Sequence, residues 1–267
     1  MISTIKNGIP LLQFSNLSGF NDLFHFTTTR EGGESRDNYH SFNLGFHSGD
    51  IPERVSRNRM VLNNALEINH NQVIFPKQTH SATIKTIRAE FLNIEENERK
   101  LFLSETDALI TNCKGICIGI KTADCVPVLL FDQKRKVIAA IHAGWRGTAQ
   151  CITSLAIKRM IAEFNSDPED IIAGIGPSIS PEVYEVGPEV WSQFDPLYYQ
   201  SNGLDSMDKR LLNLWKANSD QLIQAGIPAE QLELAGACTY SNKEAFFSAR
   251  RDGIKTGRMA SGIMIIP

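Results

Sequence analysis

The chain has no apolar run approaching the roughly eighteen residues needed to cross a bilayer. Its opening, MISTIKNGIPLLQF, lacks a basic start followed by a long apolar stretch and a small-residue cleavage site. Neither a membrane span nor a signal peptide is therefore expected. Cysteines are few and scattered: Cys113, Cys117, Cys125, Cys151 and Cys238, odd in number and in apolar contexts. That pattern argues against a disulfide framework and for a reducing, cytoplasmic setting, where cysteine serves as core filler, nucleophile or ligand. Charge of one sign is also missing, since 27 basic against 30 acidic residues leave a net charge of -3. No overall field draws the chain to nucleic acid or to an anionic membrane. Neither an internal repeat nor a clear linker interrupts the sequence, so a single domain over residues 1–267 is expected. With 42% apolar residues the composition is that of a globular protein able to bury a real core.

What is present concentrates between Lys121 and Ala149, KTADCVPVLLFDQKRKVIAAIHAGWRGTA. An apolar strand (Val126 to Phe131), a charged turn and a second apolar strand (Val137 to Ile141) are expected to pair antiparallel. Pairing across that turn would bring Cys125 and His142 together at one sheet edge. A helix is expected from about Gly147 to Phe164, packing Ile157, Met160, Ile161 and Phe164 on the sheet, with Cys151 in the core. Its start lies beside Arg146, and free N–H groups there favour an anion.

Elsewhere the chain reads as alternating elements. FHFTTT is strand-like and leads into a long polar loop, residues 30 to 50, with Arg30 at its mouth and Gly32 and Gly33 allowing close approach of backbone to ligand. Residues 52 to 68 fit a helix with Val55, Met60, Leu62 and Leu66 on its apolar side. VIFPKQTH is expected as a strand ending at His80, and NIEENERK as a solvated connection. GIGPS lacks the glycine spacing of a dinucleotide loop, and Ser180-Pro181 reads instead as the start of a helix. A surface excursion over 196 to 206 and a helix from about Met207 to Ala225 follow. Arg250, Arg251, Lys255 and Arg258 form the one basic cluster.

His80, Cys125 and His142 together have the composition of a catalytic zinc site: three N and S ligands with a fourth tetrahedral position open. Such a site would bring the pKa of its water to around 7. Asp124, beside the ligand cysteine, and Gln78, two residues before His80, are candidates to orient that water or take its proton.

KQTH (77 to 80), TDALIT (106 to 111), KTADCVPVLLFD (121 to 132), HAGWRGT (142 to 148), GIGPSIS (174 to 180) and FFSARRDGIKTGR (246 to 258) resemble the YfiH-like laccase-domain family over nearly the whole chain. Arg30, Gly32, Gly33 and FNLGFHSGD (42 to 50) resemble its N-terminal signature. The sequence departs from the pattern at Ala249, where an aromatic or histidine is expected, and around Ile254. The resemblance implies an α/β (α+β) fold, a CNF/YfiH-like four-layer α/β/β/α sandwich with mixed sheets. It also implies zinc on His80, Cys125 and His142. The implied activity is phosphorolysis of purine nucleosides (adenosine, inosine, methylthioadenosine), with adenosine deamination. The partners are then a small purine nucleoside and phosphate, with no obligate protein partner. Arg146 is the first choice for phosphate, with Arg30 and Arg250 in reserve.

Two other chemistries stay open. Copper can compete for the same three donors and support polyphenol oxidation. A multicopper centre is a poor fit, because the chain has 6 histidines and no His-x-His pair. A metal-free hydrolase or deamidase would use Cys125 as nucleophile and His142 as base, leaving His80 without a role. A binding protein with a structural zinc would need a fourth ligand that the sequence does not offer.

Overall fold

The computed structural model describes residues 1–68, 73–201 and 208–267. Strands run in chain order as β1 (Ile2–Lys6), β2 (Ile9–Gln13), β3 (Leu23–Thr28), β4 (Val73–Ile74), β5 (Ile84–Ile87), β6 (Ala108–Thr111), β7 (Cys117–Thr122), β8 (Val126–Asp132), β9 (Val137–Ala143), β10 (Ile171–Ile175), β11 (Glu185–Val186), β12 (Tyr199–Ser201), β13 (Arg210–Leu212), β14 (Leu232–Leu234) and β15 (Met259–Ile265). The helices are α1 (Pro52–Leu66), α2 (Glu96–Phe102), α3 (Trp145–Ala149), α4 (Ile152–Phe164), α5 (Pro188–Trp191), α6 (Leu214–Gln224) and α7 (Ala249–Asp252). Among the described residues no helix is long and apolar enough to cross a membrane.

Two six-stranded mixed sheets form the centre, ordered β1-β2-β3-β15-β7-β4 and β14-β10-β8-β9-β6-β5. Pairing is antiparallel except at β4–β7, β5–β6 and β10–β14. The side chains of β8 explain the layering. Val128 and Leu130 point to one face, where they pack with Ile157 and Met160 of α4 and Leu222 of α6. Leu129 and Phe131 point to the other, where they meet Ile118, Ile120 and Ile263 of the first sheet. Beyond that sheet, Phe26, Cys117 and Met264 pack with Leu62, Ala65 and Leu66 of α1. The sequence of layers is thus helix, sheet, sheet, helix. A strand covered on both faces reads as continuously apolar rather than alternating, as β8 does. Burial of each large apolar side chain here contributes about 1.5–3 kcal/mol.

The chain crosses from the first sheet (β7) to the second (β8) through Ala123, Asp124 and Cys125 alone. That short crossing, at the ends of both strands, is what positions the site.

Several local expectations are corrected. Only Val73 and Ile74 of VIFPKQTH pair as strand. Pro76 has no N–H for a ladder, and the segment is held instead by side-chain bonds described below. The helix after His142 is two helices, broken where Cys151 adopts φ 59; Cys151 is exposed, not core. Met60 is 54% exposed on α1, and Ile161 of α4 is 38% exposed. NIEENERK contributes to α2 rather than to a plain connection. Ser180 starts a turn, its carbonyl accepting from Val183 and Tyr184, and no helix follows. The helix expected from Met207 begins at Leu214, capped by the Asn213 side chain accepting from Lys216 N, because residues 210 to 212 are drawn into β13. Met207 itself, and 202 to 206 of the surface excursion, lie outside the described residues.

Candidate metal centre

In the β8–β9 ladder Val126 faces Ala143 and Pro127 faces His142. Cys125 therefore stands one residue beyond the end of the ladder, next to His142 on the neighbouring strand. His80 arrives from the irregular loop after β4. Its placement depends on a carboxylate: Asp107 accepts from the N–H groups of Thr79 (3.2 Å), His80 (3.0 Å) and Ser81 (2.8 Å), and from Ser81 Oγ (2.7 Å). Gln78 ties the same loop to β7, donating to the Lys121 carbonyl (2.7 Å) and accepting from its N–H (2.9 Å). These bonds replace the strand ladder and hold His80 at φ 61.

The outcome is a cluster in which the ligand atoms of His80, Cys125 and His142 all lie within 4.8 Å of one another. The two imidazole rings are 4.9 Å apart at 72°. Among the described residues it is the one grouping of this kind. Gly144 makes the room: a Cβ there would sit 3.1 Å from Cys125 Sγ and 3.1 Å from His80 Cδ2.

Charge and hydrogen bonding prepare these atoms. Burial pushes the Asp107 carboxyl up, but its bonds with His142 and Ser81 outweigh that and hold it at about 2. An ionised carboxylate only accepts, so His142 Nδ1, 2.7 Å from Asp107 Oδ1, carries the proton and Nε2 is left for the cluster. Burial alone would raise the Cys125 thiol, yet His142 and His80 bring it down to about 6. Burial lowers His142, but the Cys125 thiolate and Asp107 prevail and lift it to about 9. The metal-free pair is thus thiolate and imidazolium at neutral pH.

Above the cluster is a cavity of about 460 Å³. Lys77, Lys121, Arg250 and Arg258 line it, along with His47 and Tyr184. Burial holds the Lys121 ammonium well below its usual range, and its Nζ donates to the Pro76 carbonyl at 2.9 Å. Arg258 donates to the carbonyls of Thr256 and Gly257 at 2.6 and 2.9 Å. Ala249 and Ile254, the two departures from the family pattern, also line the cavity.

The other residues expected at the site divide. Gln78, Asp124 and Arg250 line the cavity. Arg146 does not: it is exposed, its guanidinium 4.2 Å from the Trp145 ring. Neither does Arg30, which donates to the carbonyls of His40 and Lys243 and stacks on Phe247 at 4.8 Å. Those bonds make Arg30 a clamp on the residue 30 to 50 loop, while Gly45, His47 and Ser48 of that loop reach the cavity. Asp124 presents no free oxygen pair, because Thr239, Ser248 and the Arg250 backbone all donate to it. The Gln78 amide is similarly engaged with Lys121. Sequence reasoning missed Asp107, although an aspartate opening the apolar run TDALIT is a signal, since a carboxylate buried there requires partners. It also passed over Lys77, Lys121, Tyr184 and the individual role of Arg258.

Residues 24–266 match a family model described as multi-copper polyphenol oxidoreductase laccase. The chain is 44% identical to a purine nucleoside phosphorylase of Bacteroides thetaiotaomicron, covering 99% of each. It is 35% identical to adenosine deaminase RL5 of an unknown prokaryotic organism, covering 89% of this chain and 92% of that one. Among solved structures it is similar to the YfiH protein of Bacillus licheniformis, with a TM-score of 0.82 at 34% identity over 92% of this chain and 93% of that one.

Proposed function

We propose that this chain, which belongs to the YfiH-like laccase-domain family, is a zinc-dependent purine nucleoside phosphorylase that also deaminates adenosine. One observation carries the reading: His80, Cys125 and His142 converge at a cavity lined by four basic side chains. Two imidazoles and a thiolate suit a borderline-soft ion, and Asp107 on Nδ1 of His142 is the outer partner that a ligating histidine ordinarily has. The gap kept open by Gly144 fits an ion held by all three. Zinc, when bound there, supplies Lewis acidity.

The chain's own residues would do the rest. Arg250 and Arg258 hold inorganic phosphate through charge-assisted hydrogen bonds; Arg250, a reserve for that role, takes it with Arg258 in place of Arg146 and Arg30 because they are the arginines that line the cavity. Tyr184 offers an aromatic wall to a purine. In phosphorolysis a phosphate oxygen bonds to C1′ as the C1′–N9 bond breaks and the purine leaves with the bonding pair. In deamination water adds at C6 and ammonia departs. Relatives named purine nucleoside phosphorylase and adenosine deaminase support both reactions. Adenosine, inosine and methylthioadenosine are the proposed substrates, and the cytoplasm the proposed setting.

Copper on the same three donors would give a different chemistry, polyphenol oxidation, but the described residues hold one such cluster rather than several. A metal-free thiol enzyme has a specific observation in its favour: Cys125, His142 and Asp107 form a thiolate, imidazolium and carboxylate series. His80 tells against it, since a cysteine–histidine pair has no use for a second imidazole at the same spot. The test is release of adenine from adenosine and hypoxanthine from inosine by zinc-loaded protein. The phosphorylase reading expects release to require phosphate and to yield pentose 1-phosphate. Equal release without phosphate contradicts it.

A further inference from the structure

We infer that Asp124 is a positioning residue: its carboxylate clamps α7 and, through α7, fixes Arg250 at the mouth of the metal cavity. The identity of the anion that Arg250 meets rests on the phosphorylase reading above.

α7 covers only Ala249–Asp252, too short to persist as an isolated helix. Asp124 supplies what it lacks. Its Oδ2 accepts from the Arg250 N–H at 2.7 Å and from Ser248 Oγ at 3.0 Å. Ser248 Oγ in turn accepts from the Arg251 N–H at 3.2 Å, so the carboxylate and the N-cap serine together satisfy two of the free amides of the first turn, those of Arg250 and Arg251. Oδ1 accepts from Thr239 Oγ1 at 2.7 Å, which anchors the segment leading into α7. The Asp124 carbonyl accepts from the Ile179 N–H at 2.9 Å and so holds the chain that continues to Tyr184.

Arg250 is thereby fixed at both ends. Its backbone is on Asp124, while its Nη1 donates to the Glu185 carbonyl at 2.6 Å and its guanidinium lies 5.1 Å from the Tyr184 ring. Asp124 is buried, stands next to the ligand Cys125 and holds φ 90, a conformation that a non-glycine residue keeps only when its surroundings demand it. Both carboxylate oxygens are taken by protein donors, so a proton acceptor for substrate is not what this arrangement provides. It couples the metal-bearing crossing to the helix that carries an anion anchor.

The two roles separate on substitution. Asn at 124 keeps one carbonyl oxygen for Ser248 and Arg250, and its amide can donate to the Thr239 hydroxyl, so the clamp largely survives while a base would not. Ala removes the clamp, and Ser248→Ala removes one strand of it without touching Asp124. Limited trypsin cleavage after Arg250 and Arg251, and KM for phosphate against kcat, should be measured in zinc-loaded protein. Asp124→Ala is expected to be cut there about tenfold faster and to raise KM for phosphate about tenfold. Ser248→Ala should move both readouts in the same direction, and Asp124→Asn should lie nearer wild type than Ala does. Asn and Ala variants that lose kcat equally, with trypsin rates unchanged in all three variants, would overturn the clamp. If Asp124→Ala does not fold, Ser248→Ala against Asp124→Asn decides the matter. Wild-type protein that needs no phosphate would sink the phosphorylase reading instead, and trypsin would still judge the clamp.

Discussion

Asp107 Oδ1 lies 2.7 Å from Nδ1 of His142, and the same carboxylate gathers the backbone N–H groups of Thr79, His80 and Ser81. One side chain therefore orients two of the three candidate ligands, His142 through its ring and His80 through its loop. Asp107→Ala should weaken zinc binding about 10–100-fold, the usual effect of losing an outer partner of a ligating histidine. Chelator competition at neutral pH measures it. Unchanged affinity would mean that the loop and ring find their places without Asp107.

Metal affinity should rise with pH, and the two ligand pKa values set the slope. Between about 6 and about 9 the metal-free site holds Cys125 as thiolate and one extra proton on His142. Binding must displace that proton, so the apparent affinity should rise about tenfold per pH unit in this window. Below about 6 the thiol of Cys125 is protonated too and the dependence should steepen toward about a hundredfold per unit. A flat profile from pH 6 to 8 would contradict the thiolate–imidazolium pair.

Gly144→Ala separates metal binding from folding. The backbone at Gly144, φ -68, accepts alanine, but the new methyl would press on Cys125 Sγ and His80 Cδ2 at 3.1 Å. Zinc content should fall well below that of wild type, while the thermal midpoint of the metal-free protein changes little. Full zinc content in this variant would place the ion elsewhere.

Cys151→Gly tests a purely structural conclusion. Cys151 is exposed at φ 59 between α3 and α4, a region where an L-residue is strained and glycine is not. The substitution should stabilise the protein by about 0.5–1 kcal/mol, read from urea denaturation, and leave zinc content alone. Destabilisation would show that the thiol makes contacts worth more than the strain.

What the sequence made legible follows from how local the physics is. The β8–β9 hairpin was readable because two apolar runs flank a charged turn, and the meeting of Cys125 with His142 follows from that pairing alone. The four layers came from family resemblance, since a strand such as β8, apolar on both faces, does not say what covers each. His80 was named but mislaid: it sits in a loop held by Gln78 and Asp107 rather than at a strand end, and no periodicity encodes side-chain bonds to backbone. Asp107 stands 35 residues from His142, so its role appears only when β6 and β9 pair. The break at Cys151 was hidden because cysteine is not a residue that announces a left-handed turn. The first-choice arginine lies off the cavity, and the reserve Arg250 on it, for a similar reason. Arg146 stands four residues after the candidate ligand His142, whereas Arg250 and Arg258 reach the cavity from the far end of the chain.

The most direct measurement is zinc content together with phosphate-dependent base release from adenosine and inosine, in wild type and in Cys125→Ala. About one zinc per chain and cleavage that requires phosphate, both lost in Cys125→Ala, are the expected results, since a three-ligand site does not survive loss of its thiolate. Wild-type protein that holds no metal, leaves purine nucleosides intact and is rapidly alkylated at Cys125 would contradict the zinc phosphorylase and favour a thiol enzyme.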